Sequence, residues 1–147
     1  MGLFDSLFGG MESSRKLTPQ ESFAGILLAA SACDGHISDD EASNLTTAVG
    51  RMRLFQRVNE KEFGQVMNKL LGILKKKGCD TLLEGCCESL PGELSNAAFA
   101  NACNIVLADG VVDQEEKEFI EKLRNHLKVE PGTAKAIAQV MVIKNKG

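Results

Sequence analysis

The chain has 147 residues, enough for one domain with a sizeable core. Hydrophobic residues make up 44% and charged residues 25%, and 17 Lys+Arg against 20 Asp+Glu leave a net charge of −3. This composition argues against disordered, collagen-like and membrane-spanning classes, offers no overall basic charge for nucleic acid, and leaves 7 Phe, with no Trp or Tyr, for any base-stacking platform.

In chain order, the opening decapeptide carries Leu3, Phe4, Leu7 and Phe8 at i, i+1, i+4 and i+5, an apolar stripe on a helix of barely two turns. Such a helix is too short to be stable alone and has to dock on the domain, a partner or a membrane interface. No Lys or Arg lies in the stripe to hold anionic lipid, so membrane binding through residues 1–10 alone is marginal. Gly2 and Ser6 satisfy the short myristoylation pattern, which arises often by chance. Residues 11–16 read as a polar linker. Residues 1–16 therefore form an N-terminal segment and linker, and residues 17–147 a single helical domain.

From Leu17 onward the periodicity is helical. Thr18-Pro19-Gln20-Glu21 is a capping box with proline at the first helical position, leading into Phe23, Ile26, Leu27 and Ala30 and ending near Cys33. A second box, Ser38 to Glu41, opens a helix with Leu45, Ala48 and Met52 on one side, whose end is blurred by Gly50. Asn59 with Glu62 starts a third, carrying Phe63, Val66, Met67, Leu70, Leu71 and Leu74 and closing at Gly78. A shorter helix holds Leu82, Leu83, Cys86 and Leu90. Pro91 starts the next, with Leu94, Ala98, Ala102 and Ile105. Asp113 caps one holding Ile120, Leu123 and Leu127, and Pro131 begins the last, with Ala134, Ile137, Ala138 and Met141. No segment alternates with a period of two. The expectation is an all-α domain of about seven helices in a compact bundle, built from two pseudo-repeated helix-turn-helix units.

The pseudo-repeat is visible when the chain is shifted by 75 residues. Asp34-Gly35-His36-Ile37-Ser38-Asp39-Asp40-Glu41 then lies on Asp109-Gly110-Val111-Val112-Asp113-Gln114-Glu115-Glu116. Flanking positions agree as well: Leu27 with Ala102, Ala30 with Ile105, Leu45 with Ile120, Ala48 with Leu123, Met52 with Leu127. Much of the shared pattern is structural. The glycine suits a left-handed helix end, Ile37 and Val112 can enter the core, and Ser38/Glu41 and Asp113/Glu116 complete capping boxes. Asp34 and Asp109 are less easily explained, because a carboxylate at a helix C-terminus faces the negative end of the dipole unless a donor or a cation is near.

The pattern mimics the second half of an EF-hand loop, but the register refuses it. Loop positions 1 and 3 would be Ala30 and Ala32, or Ile105 and Leu107, none with a side-chain oxygen. If the two corners approach each other, Asp34, Glu41, Asp109, Asp113 and Glu116 would pool oxygen ligands for Ca²⁺, Mg²⁺ or Mn²⁺ rather than zinc or copper. The alternative is that the acids are only caps.

Paired helical units with Asp-Gly-x-[Ile/Val]-x-x-x-Glu at each turn resemble the TerB-like domain of tellurite-resistance proteins. The likeness spans roughly residues 17–144, and a short Met-Gly-Leu-Phe start is also similar to members of that group. The matching positions are Asp34, Gly35, Ile37 and Glu41, and Asp109, Gly110, Val112 and Glu116; Ser38 stands where the second copy has Asp113. The resemblance implies a non-enzymatic, all-helical bacterial domain of the cytoplasm, tied to tellurite and other chemical stress. It also implies metal binding or assembly of complexes near the inner membrane.

Charge is unevenly laid out. Residues 51–77 hold eight basic groups against Glu60 and Glu62, a balance of +6, and residues 109–121 hold six acids against Lys117, a balance of −5. Such faces suit protein partners of opposite charge, or weak peripheral contact of the basic stretch with an anionic membrane; no nucleic-acid motif accompanies them. The plainer reading is that the long charged side chains solvate outer helix faces. Five cysteines (Cys33, Cys79, Cys86, Cys87, Cys103), an odd count without a signal peptide or C-x-x-C spacing, point to a reducing compartment and to small core hydrophobes. The adjacent Cys86 and Cys87 point about 100° apart on a helix, which predicts one of them exposed. Three functions are weighed: a cation-binding stress-response module, a metal-free helical interaction scaffold near the membrane, and a thiol-dependent oxyanion reductase. The last lacks a resolving-cysteine pair or any nucleophile–base spacing.

Overall fold

A computed structural model describes residues 17–32, 37–108, 110 and 112–146. Among these residues there are seven α-helices, two 3₁₀ turns and no strand: α1 (Pro19–Ser31), α2 (Asp39–Gly50), a turn at Arg53–Phe55, α3 (Glu60–Lys77), α4 (Cys79–Ser89), a turn at Gly92–Leu94, α5 (Ser95–Val106), α6 (Gln114–Leu127) and α7 (Pro131–Lys144). The all-α expectation holds. Residues 1–16 lie outside the described residues.

α1 is the axis of the bundle. Every residue from Ser22 to Ser31 is buried, as expected for a helix of small and apolar residues with no polar face, and α2, α3, α4 and α5 all pack on it. Its close approach to α4 depends on Gly25, where a Cβ would overlap Cys86 Sγ and lie 3.2 Å from Leu70. α4 packs further on α3 and α6, α5 on α6, and α7 on α5. Phe23, Phe55 and Phe63 form an edge-to-face row, with centroids 6.5 and 5.9 Å apart, that seats the Arg53–Phe55 turn against α1 and α3.

The capping boxes form as read. Thr18, Ser38, Asn59 and Asp113 each accept from the backbone N–H three residues on, and Glu21, Glu41, Glu62 and Glu116 each accept from the N-cap N–H. Gly78 ends α3 with φ +88°, and three lysines fill the last turn of α3, where the dipole favours cations. Three expectations are corrected. Ala48 is exposed, and α2 buries Leu45 and Val49 instead; Met52 lies beyond the helix, which stops at Gly50. Pro91 opens a 3₁₀ turn and α5 begins only at Ser95. Both Cys86 and Cys87 are buried, because α4 meets α1 and α3 on one side and α6 on another, leaving Asp80, Thr81, Glu84 and Glu88 as its exposed face. Phe119 and Val129 join the core without having been anticipated.

Candidate metal site at the paired helix corners

α1 and α2 meet at one corner, α5 and α6 at the other. α1 ends at Ser31 and α5 at Val106, 75 residues later; α2 starts at Asp39 and α6 at Gln114, again 75 later. Closing residues Ala32 and Leu107 have φ, ψ of −105°, 14° and −94°, 7°. N-caps Ser38 and Asp113 sit at −83°, 164° and −82°, 177°. The cap bonds match too. Ser38 N–H donates to Glu41 Oε1 at 2.9 Å and Glu41 N–H to Ser38 Oγ at 3.1 Å. Asp113 N–H donates to Glu116 Oε1 at 3.1 Å and Glu116 N–H to Asp113 Oδ1 at 2.8 Å. Gly110 takes φ +76°, the left-handed state expected of it, and Ile37 and Val112 pack against the core.

Of the five candidate ligands, Asp34 and Asp109 lie outside the described residues. Glu41, Asp113 and Glu116 are described, and each serves its own capping box. Glu41 is placed where more than capping is possible. It lines a cleft of about 340 Å³ together with Ser31 at the end of α1, Asn44 of α2, and Asn104, Ile105 and Ala108 around the end of α5. The C-terminal ends of α1 and α5 therefore open on one cleft. Asp113 and Glu116 do not line it. Asn145, just past α7, closes the far wall; its Nδ2 donates to Asn104 Oδ1 at 3.1 Å and to the Met141 carbonyl at 2.9 Å.

The donor chemistry is hard oxygen. Ser38 engages Oε1 of Glu41, and Asn44 and Asn104 line the same space, the Asn104 amide oxygen already accepting from Asn145; carboxylate and amide oxygens are the ligands Ca²⁺ and Mg²⁺ take. Among the described residues, no group of three His, Cys, Asp or Glu side chains stands ready for a metal. The three asparagines were not anticipated. Their signal was Asn104 interrupting the small apolar run of α5, and Asn145 at a helix end, where a side-chain amide readily bonds carbonyls.

Thiol chemistry is suppressed in the core. Burial pushes the Cys86, Cys87 and Cys103 thiols up to about 12, with the Glu88 charge adding to the effect at Cys87. Cys79 is half-buried and also raised, first by burial and then by Asp80. The charged faces are partly paired: Lys69 Nζ meets Glu21 Oε2 at 3.0 Å, Lys122 meets Asp80 at 2.8 Å, and Arg124 meets Glu121 at 3.6 Å. No described helix is long and apolar enough to cross a membrane.

Compared with protein-family models, with curated proteins and with solved structures, the chain produced no match in any of the three.

Proposed function

We propose that the chain is a non-catalytic, TerB-like stress-response module that holds a divalent cation at its paired helix corners and docks protein partners through its charged faces. One observation carries the reading: Glu41 of the first corner and Asn104 and Ala108 of the second hairpin line one cleft. Asp109 follows Ala108 directly in sequence, and Asp34 lies three residues after Ser31, which lines the same cleft. The repeat of helix ends and capping geometry at an offset of 75 residues supports a duplicated unit. The high pKa of the buried thiols supports a non-thiol, non-reductive role.

The test is an amide-resolved NMR titration of the full chain with Ca²⁺, then Mg²⁺ and Mn²⁺. Saturable shifts at Glu41, Asn44, Asn104 and Gly110, abolished by Asp34→Asn with Asp109→Asn, are the expected outcome. Unchanged spectra and an unchanged melting temperature across millimolar divalent ions would sink the cation reading. They would favour the second one, a metal-free interaction scaffold near the membrane. The specific observation behind that second reading is that Glu41, Asp113 and Glu116 are all occupied as helix caps.

A further inference from the structure

A groove on the described surface lies away from the corners, between α2 and α3. It encloses about 630 Å³, within the range of pockets that take a drug-sized apolar group. Its floor is Phe55, Val58, Phe63 and Met67, with Gly50 at the end of α2 and Gly64 in α3 on its walls. A Cβ added at either glycine would meet nothing within 4 Å, so neither is bare because of packing within the described fold. Glycine at position 64 leaves this wall of the groove without a side chain, so an apolar group can approach the α3 backbone there.

The geometry points to an occupant from this same chain: the apolar stripe Leu3, Phe4, Leu7 and Phe8. That stripe cannot hold a helix without a surface to cover it. The domain side of the tether is placed for it. Thr18, the N-cap of α1, lines a smaller cleft that shares Val58 with the groove, and Gln20 Nε2 donates at 3.5 Å to the carbonyl of Leu54, next to Phe55 of the floor. Leu17 is anchored by its N–H on Ser89 Oγ at 3.3 Å. The eight residues 9–16 span at most roughly 26–29 Å when extended, more than two helix diameters of roughly 10–12 Å. A tether of this length holds the stripe at millimolar effective concentration, ahead of an untethered competitor. Charge agrees at the stripe: it carries Asp5 and no Lys or Arg, the tether's Arg15 and Lys16 lie at its domain end, and Arg51, Arg53 and Arg57 are exposed on the turn beside the groove. The exposed large hydrophobics among the described residues, Val140, Val142 and Ile143, are on α7, and no α7 residue lines either cleft. The groove is thus an intramolecular dock for residues 3–8, and a partner that takes this stripe would expose it.

The experiment compares amide spectra of the full chain with those of Phe4→Ser/Phe8→Ser at two protein concentrations. Differences confined to Gly50, residues 55–59 and residues 63–68, and independent of concentration, are expected. In parallel, Gly64→Arg puts a long side chain into the groove from a position where an added Cβ meets nothing within 4 Å. It is expected to keep the helical circular dichroism while chymotrypsin cuts after Phe4 or Phe8 several-fold faster than in the wild type. Differences that cluster on α7, that scale with concentration, or that are absent would overturn the dock, as would equal cleavage rates in the two proteins.

Discussion

Gly25→Ala is the most pointed perturbation of this fold. Gly25 is buried where α1 crosses α4, and a methyl there overlaps Cys86 Sγ, with Leu70 Cδ2 at 3.2 Å and Cys86 Cβ at 3.7 Å. Helix propensity favours alanine over glycine by about 1 kcal/mol, and overpacking a dense core costs about 1–3 kcal/mol. The overlap is severe and the sulfur is fully buried, so the upper end applies and the net loss is about 2 kcal/mol. For a chain of this size that lowers the melting temperature by roughly 4–8 °C. Cys86→Ala removes the sulfur, so in that background Gly25→Ala should be neutral or stabilise by up to about 1 kcal/mol. The double-mutant cycle, read by chemical denaturation, should give a coupling of about 2–3 kcal/mol. If Gly25→Ala lowered stability equally in both backgrounds, the close crossing of α1 and α4 through this glycine would be wrong.

Ser22 is fully buried and its hydroxyl has no partner among the described residues, so Ser22→Ala should raise stability by about 1 kcal/mol; a loss in denaturant melts would show that the hydroxyl is bonded. Lys128 closes α6 at φ 58°, a left-handed state costly for a side chain, so Lys128→Gly should be stabilising by up to about 1 kcal/mol, and a clear drop in melting temperature would contradict that. Burial raises the Glu21 carboxyl, but the Thr18 N–H, the hydrogen bond and charge of Lys69 and the Thr18 hydroxyl together hold it below the usual carboxylate value. Its stabilising contribution is therefore present above the unfolded carboxylate range and lost as pH falls through the lowered folded value. The stability difference between wild type and Glu21→Gln should shrink from about pH 6 to about pH 3, and a constant difference would refute the linkage. Finally, Glu41→Gln should weaken Ca²⁺ binding by about tenfold or more while Glu116→Gln changes it little, since ligand charge tunes such sites; equal losses in titration would refute the inequivalence of the corners.

What was legible in the sequence is what a few adjacent residues decide. Four capping boxes announced themselves because a hydroxyl, amide or carboxylate three residues before a glutamate satisfies free backbone donors by itself, whatever packs nearby. Pro19 and Pro131 marked helix starts for the same local reason. Features set by neighbours were not legible. Ala48 and Val49 are both small and apolar, and only the seat of α2 on α1 decides that Val49 is covered. Cys86 and Cys87 diverge on their helix, yet α4 is enclosed broadly enough to bury both. At the site, Glu41 was found through its motif, whereas Asn104 and Asn145 meet across 41 residues of chain and no spacing rule joins them.

The two corners are alike locally and unlike in their setting. At the shared offset, Leu45 and Val49 of α2 correspond to Ile120 and Arg124 of α6, but α6 buries Phe119, Leu123 and Leu127 instead. The buried face has moved by one residue, which is a rotation of about 100°. α2 rests chiefly on α1, while α6 is wedged against both α4 and α5, and Phe119 and Leu123 are large enough to fill that wedge. Capping is decided within eight residues and survives the rotation; the direction in which the helix presents its first-turn side chains does not. Glu41 consequently lines the cleft shared with the end of α5, whereas Asp113 and Glu116 do not line it. Two hairpins with the same caps need not share the same chemistry. The first corner supplies the carboxylate to the shared cleft, and the second supplies the wall against which it works.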